Sequence, residues 1–316
     1  MKLSIKSKEE ILILFSKKAT HHLRVIEEAI KARGEAVLLS NYYPLNFQVG
    51  EKIDQPPRLF LGERDLKEFK VIFFRTTGKR WEEANLIANY LRDNVKAGSV
   101  RIVDPVILEG RPYLAMKAYQ MFAFQRAGLP VPRTIYGSLQ FLKQVVGDRL
   151  GFPAVIKRSE GARGERVFLV QNQAQLNRLV DELLAQEQEE GKRFLAQEFV
   201  PNQGDLRILV LGNQVLGAIK RVRQRPDEFR NNVSRGGRAF AVKLTPFLEK
   251  IALSAAKIAQ LSFAGVDIVL REEDDEPFLF EVNRSPQFKG FAAATGIDVA
   301  DKIAQYLIKL KNQVKD

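Results

Sequence analysis

The 316-residue chain has no cysteine and only two histidines, the adjacent pair His21 and His22. Without thiols there is no disulfide, no thiolate nucleophile and no cysteine-ligated metal, and two neighbouring imidazoles do not make a histidine-rich centre. Any metal is therefore expected on oxygen ligands. No apolar run approaches the roughly 18 residues that a membrane span requires. The short run 11–15 is followed by lysines rather than by a small-residue cleavage site, which argues against a secretory signal and makes the cytoplasm the expected location. A G-x-G-x-x-G after the first strand is missing, as is G-x-x-x-x-G-K-[ST], so neither a nicotinamide dehydrogenase nor a P-loop enzyme is expected.

What is present is an ordinary soluble composition, 45% hydrophobic and 28% charged, in a chain long enough for two or three domains. The net charge of +12 implies anionic partners: nucleotide phosphates, a nucleic acid or an acidic peptide. The charge is uneven. Residues 181–190 are acidic and 220–238 strongly basic, which points to a local anion site.

Strand, helix and strand patterns over 11–15, 24–32 and 36–39 give a βαβ opening, with Gly34 ending the helix. A strand from 71, a helix from 81 and a strand closing at Pro105 continue the alternation, which predicts a parallel sheet. A helix over 114–126 follows. From Pro153 the chain turns strand-rich, with helices over 173–190, 248–261 and 299–310. The expected organisation is an N-terminal α/β unit over 1–110, a central segment over 111–200 and a C-terminal α+β segment over 201–316.

Four stretches could carry chemistry. In "FLFEVN" (278–283), Glu281 and Asn283 lie two apart on a strand and share a face, while Val282 points away. If Asp267, on the preceding strand, sits opposite them, three oxygen ligands converge, a hard set suited to Mg²⁺ completed by substrate phosphates. A solvent-facing polar edge is the plain alternative. In "PAVIKRSEGARGERVFLV" (153–170), Lys157 ends a strand before a loop in which Gly161 and Gly164 let backbone amides approach phosphates, although a simple hairpin reads the same way. "LAQEFVPNQGDLRI" (195–208) resembles a hinge whose backbone reads an adenine edge, with Asp205 placed for a ribose hydroxyl; an ordinary strand-turn-strand would look alike. The basic stretch mixes Arg221, Arg230, Asn231, Asn232 and Arg235 with paired glycines. Its composition suits planar oxyanions, and with only Phe229 and Phe240 for stacking it does not favour nucleic acid.

Taken in order, "AMKAYQMFAFQRAGLPVPRT", "FPAVIKRSEGARGERV", "AQEFVPNQGDLRILVLGNQVLGAIKR", "EFRNNVSRGGRA", "AGVDIV", "FEVNRSP" and "TGIDVADKI" resemble the ATP-grasp carboxylate-amine ligases, and within them the RimK-like glutamate ligase branch. The resemblance implies an ATP-grasp fold of α/β and α+β parts, preceded by a Rossmann-like N-terminal domain. It implies ATP between two lobes, with Lys117 and Lys157 near the phosphates, Glu198 and Phe199 at the adenine hinge and Asp205 at the ribose. Arg230, Asn231 and Asn232 match further nucleotide contacts, and Asp267, Glu281 and Asn283 match Mg²⁺ or Mn²⁺ ligands. Arg221 and Arg235 match catalytic positions near the γ-phosphate and the carboxylate being activated. The implied reaction joins an amino acid such as glutamate to a peptide, protein or small acid through an acyl phosphate. A glutathione-synthase-like or amino-group-carrier ligase, and a non-catalytic binder of nucleic acid or acidic protein on the same shell, are the alternatives. Oligomeric state stays open, a homo-oligomer included. Three positions depart from the branch: Arg166 and Gln287 stand where glycine is usual, and Ser234 where histidine precedes Arg-Gly-Gly. They bear on the acceptor and on the flap rather than on ATP and metal binding.

Overall fold

A computed structural model describes residues 9–50, 56–110, 116–159, 166–191, 193–222 and 238–315. The chain opens with β1 (Ile11–Phe15), α1 (His21–Ala32), β2 (Val37–Asn41), β3 (Leu45–Gln48), β4 (Arg58–Leu61), β5 (Arg64–Asp65), β6 (Val71–Phe74), α2 (Trp81–Tyr90), α3 (Arg92–Ala97), β7 (Arg101–Val103) and α4 (Pro105–Leu108). Strands β2-β1-β6-β7 form an all-parallel sheet in that order. Every residue of β1 and β6 is buried, the pattern expected when helices cover both faces of a parallel sheet. Strands β3-β4-β5 make a small antiparallel sheet that the sequence reading did not anticipate. Its segments are short: β3 is largely exposed, β5 is two residues long, and β4 buries the unbroken apolar run Leu59, Phe60 and Leu61, so none shows an alternation.

Next come α5 (Lys117–Arg126), β8 (Thr134–Gly137), α6 (Leu139–Arg149), β9 (Ala154–Arg158), β10 (Val167–Val170), α7 (Gln173–Glu190) and β11 (Phe194–Glu198). The antiparallel sheet β10-β9-β11-β8 buries one face against α6 and α7, in a core built from Leu139, Leu142, Ile156, Leu176, Val180 and Phe194 among others. Helix α6 is capped by Ser138 and α7 by Asn172, whose side-chain oxygens accept backbone N–H groups three residues on. The other face of this sheet carries Lys157 and, paired with it, Leu195, both buried.

The chain closes with β12 (Asp205–Leu211), β13 (Gln214–Val222), β14 (Arg238–Val242), α8 (Pro246–Ile258), β15 (Phe263–Leu270), β16 (Pro277–Asn283), α9 (Lys289–Thr295) and α10 (Val299–Asn312). Strands β14-β13-β12-β15-β16 form an antiparallel sheet. One face (Leu206, Ile208, Val210, Ala264, Val266, Ile268) joins a core shared with α8 and with the N-terminal Leu12, Ile72 and Phe74. The opposite face is divided. Its Leu209, Leu211, Ile219 and Phe263 join a second core with α1, α10 and β1, whereas Asp205, Arg207, Arg221 and Asp267 carry charge at the other end.

The first and last segments therefore share both cores, and α10 fastens them further through Arg33 to Asp301 and Lys311 to Glu35. The central segment expected over 111–200 divides in the structure. Helix α5 packs on β16 and places Met121 and Phe124 in the shared core, while 134–198 has a core of its own.

Candidate active site

Strand β16 explains how two polar ligands reach the open face. Phe278 joins a small apolar cluster with Val200, Val269 and the partly buried Phe280, while Leu279 and Val282 both enter the main core. Two core residues three apart break a period of two. The register supplies the reason: Asp267 pairs with Glu281 but the next residue, Ile268, pairs with Leu279, leaving Phe280 as a bulge. The extra residue shifts the phase, so Glu281 and Asn283 emerge on the same face as Phe278 and Phe280. Without it, strict alternation from Phe278 would bury Glu281.

The register places Asp267 opposite Glu281 and Gly265 opposite Asn283, the convergence the sequence reading made conditional. Asn283 Nδ2 donates to Asp267 Oδ2 at 3.2 Å, which leaves Oδ1 of the amide as an uncommitted acceptor among the described residues. A Cβ on Gly265 would lie 2.8 Å from the Pro286 ring, so only glycine lets the loop after Asn283 fold back here. Because β16 is an edge strand, its outer backbone needs partners. Gln120 on α5 supplies them, donating from Nε2 to the Val282 carbonyl at 2.9 Å and accepting the Val282 N–H at 3.0 Å.

The lysines converge from two other elements. Lys117, the first residue of α5, sets Nζ 3.4 Å from Glu281 Oε1, and its backbone N–H donates to the Ser159 carbonyl at 3.2 Å. Lys157 lies on the open face of the central sheet with Nζ 5.6 Å from the Phe280 ring centroid. Burial pushes its pKa down to about 8, against the pull of Glu281 and with a further push from Lys117.

Asp205 begins β12 between Arg221 and Val269. Its carboxylate accepts from Arg221 Nε at 3.1 Å and from Arg221 Nη2. Arg221 Nη2 also lies 3.2 Å from Asp267 Oδ1, and Arg207 grips Asp267 bidentately, with Nη2 to Oδ2 at 2.8 Å. Burial would raise the Asp267 pKa, but Arg207 and then Arg221 hold it below the usual carboxylate range. The sequence reading gives Arg207 no role beside Asp205 and does not single out Gln120. Arg207 had a legible signal, since it sits two residues from Asp205 and shares its face.

The donor set fits a hard divalent cation, with two carboxylates and an amide oxygen on one sheet face and no thiolate or imidazole in reach. The two carboxylates differ in availability. The Asp267 oxygens already take four donors, from Arg207 twice, Arg221 and Asn283, whereas Glu281 has Lys117 alone among the described residues. Glu281 therefore keeps uncommitted carboxylate oxygen among the described residues, whereas the Asp267 oxygens are taken up.

At the connection between lobes, Glu198 turns its carboxylate to Arg133, accepting from N at 2.8 Å and Nε at 2.7 Å, and the Phe199 N–H donates to the Pro153 carbonyl at 3.3 Å. The turn is built by Asn202, whose amide donates to the Val200 carbonyl and accepts from Gly204 N. Gly204 has φ +130, and a Cβ there would stand 2.5 Å from the Arg221 carbonyl oxygen. Arg166 adopts φ 55, a left-handed conformation that favours glycine, and its Nη1 lies 3.5 Å from Glu190 Oε1. Arg158 reaches the same carboxylate at 2.7 Å, so Glu190 balances both guanidiniums. Gly161, Gly164, Arg230, Asn231, Asn232, Ser234 and Arg235 lie outside the described residues.

The model of the RimK-like ATP-grasp domain matches residues 115–307. The chain belongs to the RimK-like ATP-grasp family. As a member it is an ATP-dependent carboxylate-amine ligase. A Shewanella frigidimarina protein named "Probable alpha-L-glutamate ligase 1" is 31% identical over 305 residues, covering 95% of each chain. A second, "Probable alpha-L-glutamate ligase 2" of Shewanella denitrificans, is 37% identical over 198 residues, covering 61% of this chain and 62% of its own. Among solved structures, the ATP-grasp ligase PsnB, complexed with a phosphomimetic variant of a minimal precursor, Mg and ADP, superposes with TM-score 0.73 at 18% identity, covering 96% of this chain and 99% of that one. The macrocyclase MdnC of Microcystis aeruginosa, bound with precursor peptide MdnA, gives TM-score 0.66 at 18% identity, covering 95% and 99%. These structural likenesses speak to the fold. Among the described residues no helix is long and apolar enough to cross a membrane.

Proposed function

We propose that this ligase joins the amine of an amino acid, glutamate foremost, to the carboxylate of a peptide, protein or small acid in the cytoplasm, with 134–198 closing as a lobe over the shared N- and C-terminal body. The observation that carries the reading is the register that sets Asp267 against Glu281, beside Lys117 and below Lys157. The names of the glutamate ligase relatives and the peptide-bound state of the structural neighbours support the substrate classes.

A carboxylate is a poor electrophile, and phosphorylation of its oxygen turns that oxygen into part of a leaving group. The amine then adds to the acyl carbon, loses a proton, and phosphate departs. Asp267, Glu281 and Asn283 would hold Mg²⁺, which when bound neutralises phosphate charge. Mn²⁺ suits the same oxygen donors. Lys117 and Lys157 offer two cations at the same place, and the desolvated Lys157 is a stronger counter-charge than a solvated lysine. Arg207 and Arg221 keep Asp267 ionised. The Val200, Val269, Phe278 and Phe280 cluster, next to the hinge backbone at Glu198 and Phe199, offers an apolar seat for a purine, and Asp205 retains acceptor capacity for a ribose hydroxyl. Gly161, Gly164, Arg230, Asn231, Asn232 and Arg235 keep the nucleotide and catalytic roles that the family resemblance assigns them.

The test is ADP release from purified protein with Mg²⁺ or Mn²⁺, screened over amino acids against candidate carboxylates. Turnover that requires both substrates, yields an amide and vanishes in Glu281→Gln supports the proposal. No stimulation by any pair contradicts it.

A further inference from the structure

Three loops far apart in sequence meet at the carboxyl ends of β1 and β6. The parallel strand order reverses between these two strands, the position where open α/β sheets form a ligand crevice. Ser16, after β1, donates its N–H to Thr76 Oγ1 at 2.9 Å, and Gly78 packs so tightly on Ser16 that a Cβ would come within 2.9 Å. The loop after β16 is laid across both: Ser285 Oγ donates to the Arg75 carbonyl at 2.6 Å, Arg284 donates to the Phe74 carbonyl at 3.3 Å and stacks 5.0 Å from the Trp81 ring, and His22 meets Phe288 at 4.5 Å.

Residues 16–22, 75–81 and 284–290 contain no aspartate or glutamate, while they hold four lysines, three arginines and both histidines of the chain. Lys17, Lys18, His21, Lys79, Arg80 and Lys289 are exposed. Arg80 pairs with Glu83 at 2.8 Å, but Lys17, Lys18, Lys79 and Lys289 form no ion pair among the described residues. The local field is felt by His22, whose pKa falls to about 4 through burial first, then Arg75, His21 and Lys289. Because residue 284 directly follows Asn283, the rim borders the candidate metal ligands.

We propose that this basic rim docks an acidic segment of the acceptor polypeptide and leads its carboxylate to the site beside Asn283. The inference rests on the ligase reading and adds where the acceptor binds. The three loops give a basic edge on which Trp81 is covered by Arg284 and no Asp or Glu stands, so the charge complements an acidic peptide.

The experiment measures fluorescence anisotropy of a labelled decaglutamate peptide on the full-length protein and on a Lys17→Glu, Lys18→Glu, Lys79→Glu variant, at low and moderate salt. Alongside, Mg·ATP binding is followed by calorimetry. The expected result is salt-sensitive peptide binding that weakens by about tenfold or more in the variant, with Mg·ATP affinity unchanged. Equal peptide affinity in both proteins, or tighter binding of a single-stranded oligonucleotide of equal charge at the same rim, overturns the proposal. A Lys17→Gln, Lys18→Gln, Lys79→Gln variant guards against misfolding: an intermediate loss is expected, and none refutes the rim. Failure of the wild type to bind Mg·ATP would instead refute the ligase reading and leave the peptide result standing.

Discussion

Asp267 and Glu281 face one another across two strands, yet their replacement should fail in different ways. Asp267 is 9% exposed and balances two guanidiniums whose side chains are 15% and 9% exposed. In Asp267→Asn the carboxylate leaves and Arg207 and Arg221 stay in place, the second still paired with Asp205 and the first without a counter-charge among the described residues. Breaking a buried pair in this way costs about 3–5 kcal/mol. Glu281 is more open, at 28% side-chain exposure, and meets Lys117 at 3.4 Å, so Glu281→Gln should cost about 1 kcal/mol or less. For turnover both should be severe, with losses of roughly 10²-fold or more if the pair supports charge at the phosphates. Urea denaturation followed by circular dichroism, with ADP release on the same preparations, separates the two. The acid limb adds a check. Against the opposing effect of burial, Arg207 and Arg221 hold the folded Asp267 carboxyl below the usual carboxylate range, so its stabilisation is present above that range and is lost as pH falls through the depressed folded value. Asp267→Asn lacks this step. A variant at Asp267 as stable as the wild type, or a fully active Glu281→Gln, would refute the reasoning.

Two other outcomes follow from local geometry. With its pKa near 8 in the free protein, Lys157 is charged below that pH and neutral above it, so Mg·ATP affinity should weaken as pH rises past about 8, and Lys157→Arg should move the fall upward; calorimetry at fixed Mg²⁺ measures it. Gly204→Ala meets both an unfavourable φ of +130 and the Arg221 carbonyl at 2.5 Å, and should lose about 1–3 kcal/mol of stability in a denaturation curve.

Much of this was legible because the signals were short-range. The βαβ opening, the long helix ending at Gly191 and the paired strands around residues 267 and 281 follow from periodicity and punctuation. The bulge at Phe280 was not legible. "FLFEVN" alternates without a break on paper, and only the partner strand reveals that Leu279 and Val282 face the same core. Arg207 and Gln120 were overlooked for a related reason: one reads as a strand polar residue and the other as a helix polar residue, and each acquires its role across 60 or 162 positions of sequence. The small sheet β3-β4-β5 escaped because its strands are short and the buried run Leu59, Phe60 and Leu61 of β4 shows no period, and the sharing of both main cores between the first and last segments is a property of packing that no window of sequence contains.

In the proposed reaction the acceptor carboxylate is phosphorylated at the site framed by Asp267, Glu281 and Asn283. Turnover with an acceptor whose carboxylate carries isotopically heavy oxygen, followed by phosphorus NMR of the products, tests it directly. One heavy oxygen is expected in inorganic phosphate for each amide formed. Unlabelled phosphate, or the label appearing in AMP, would contradict it.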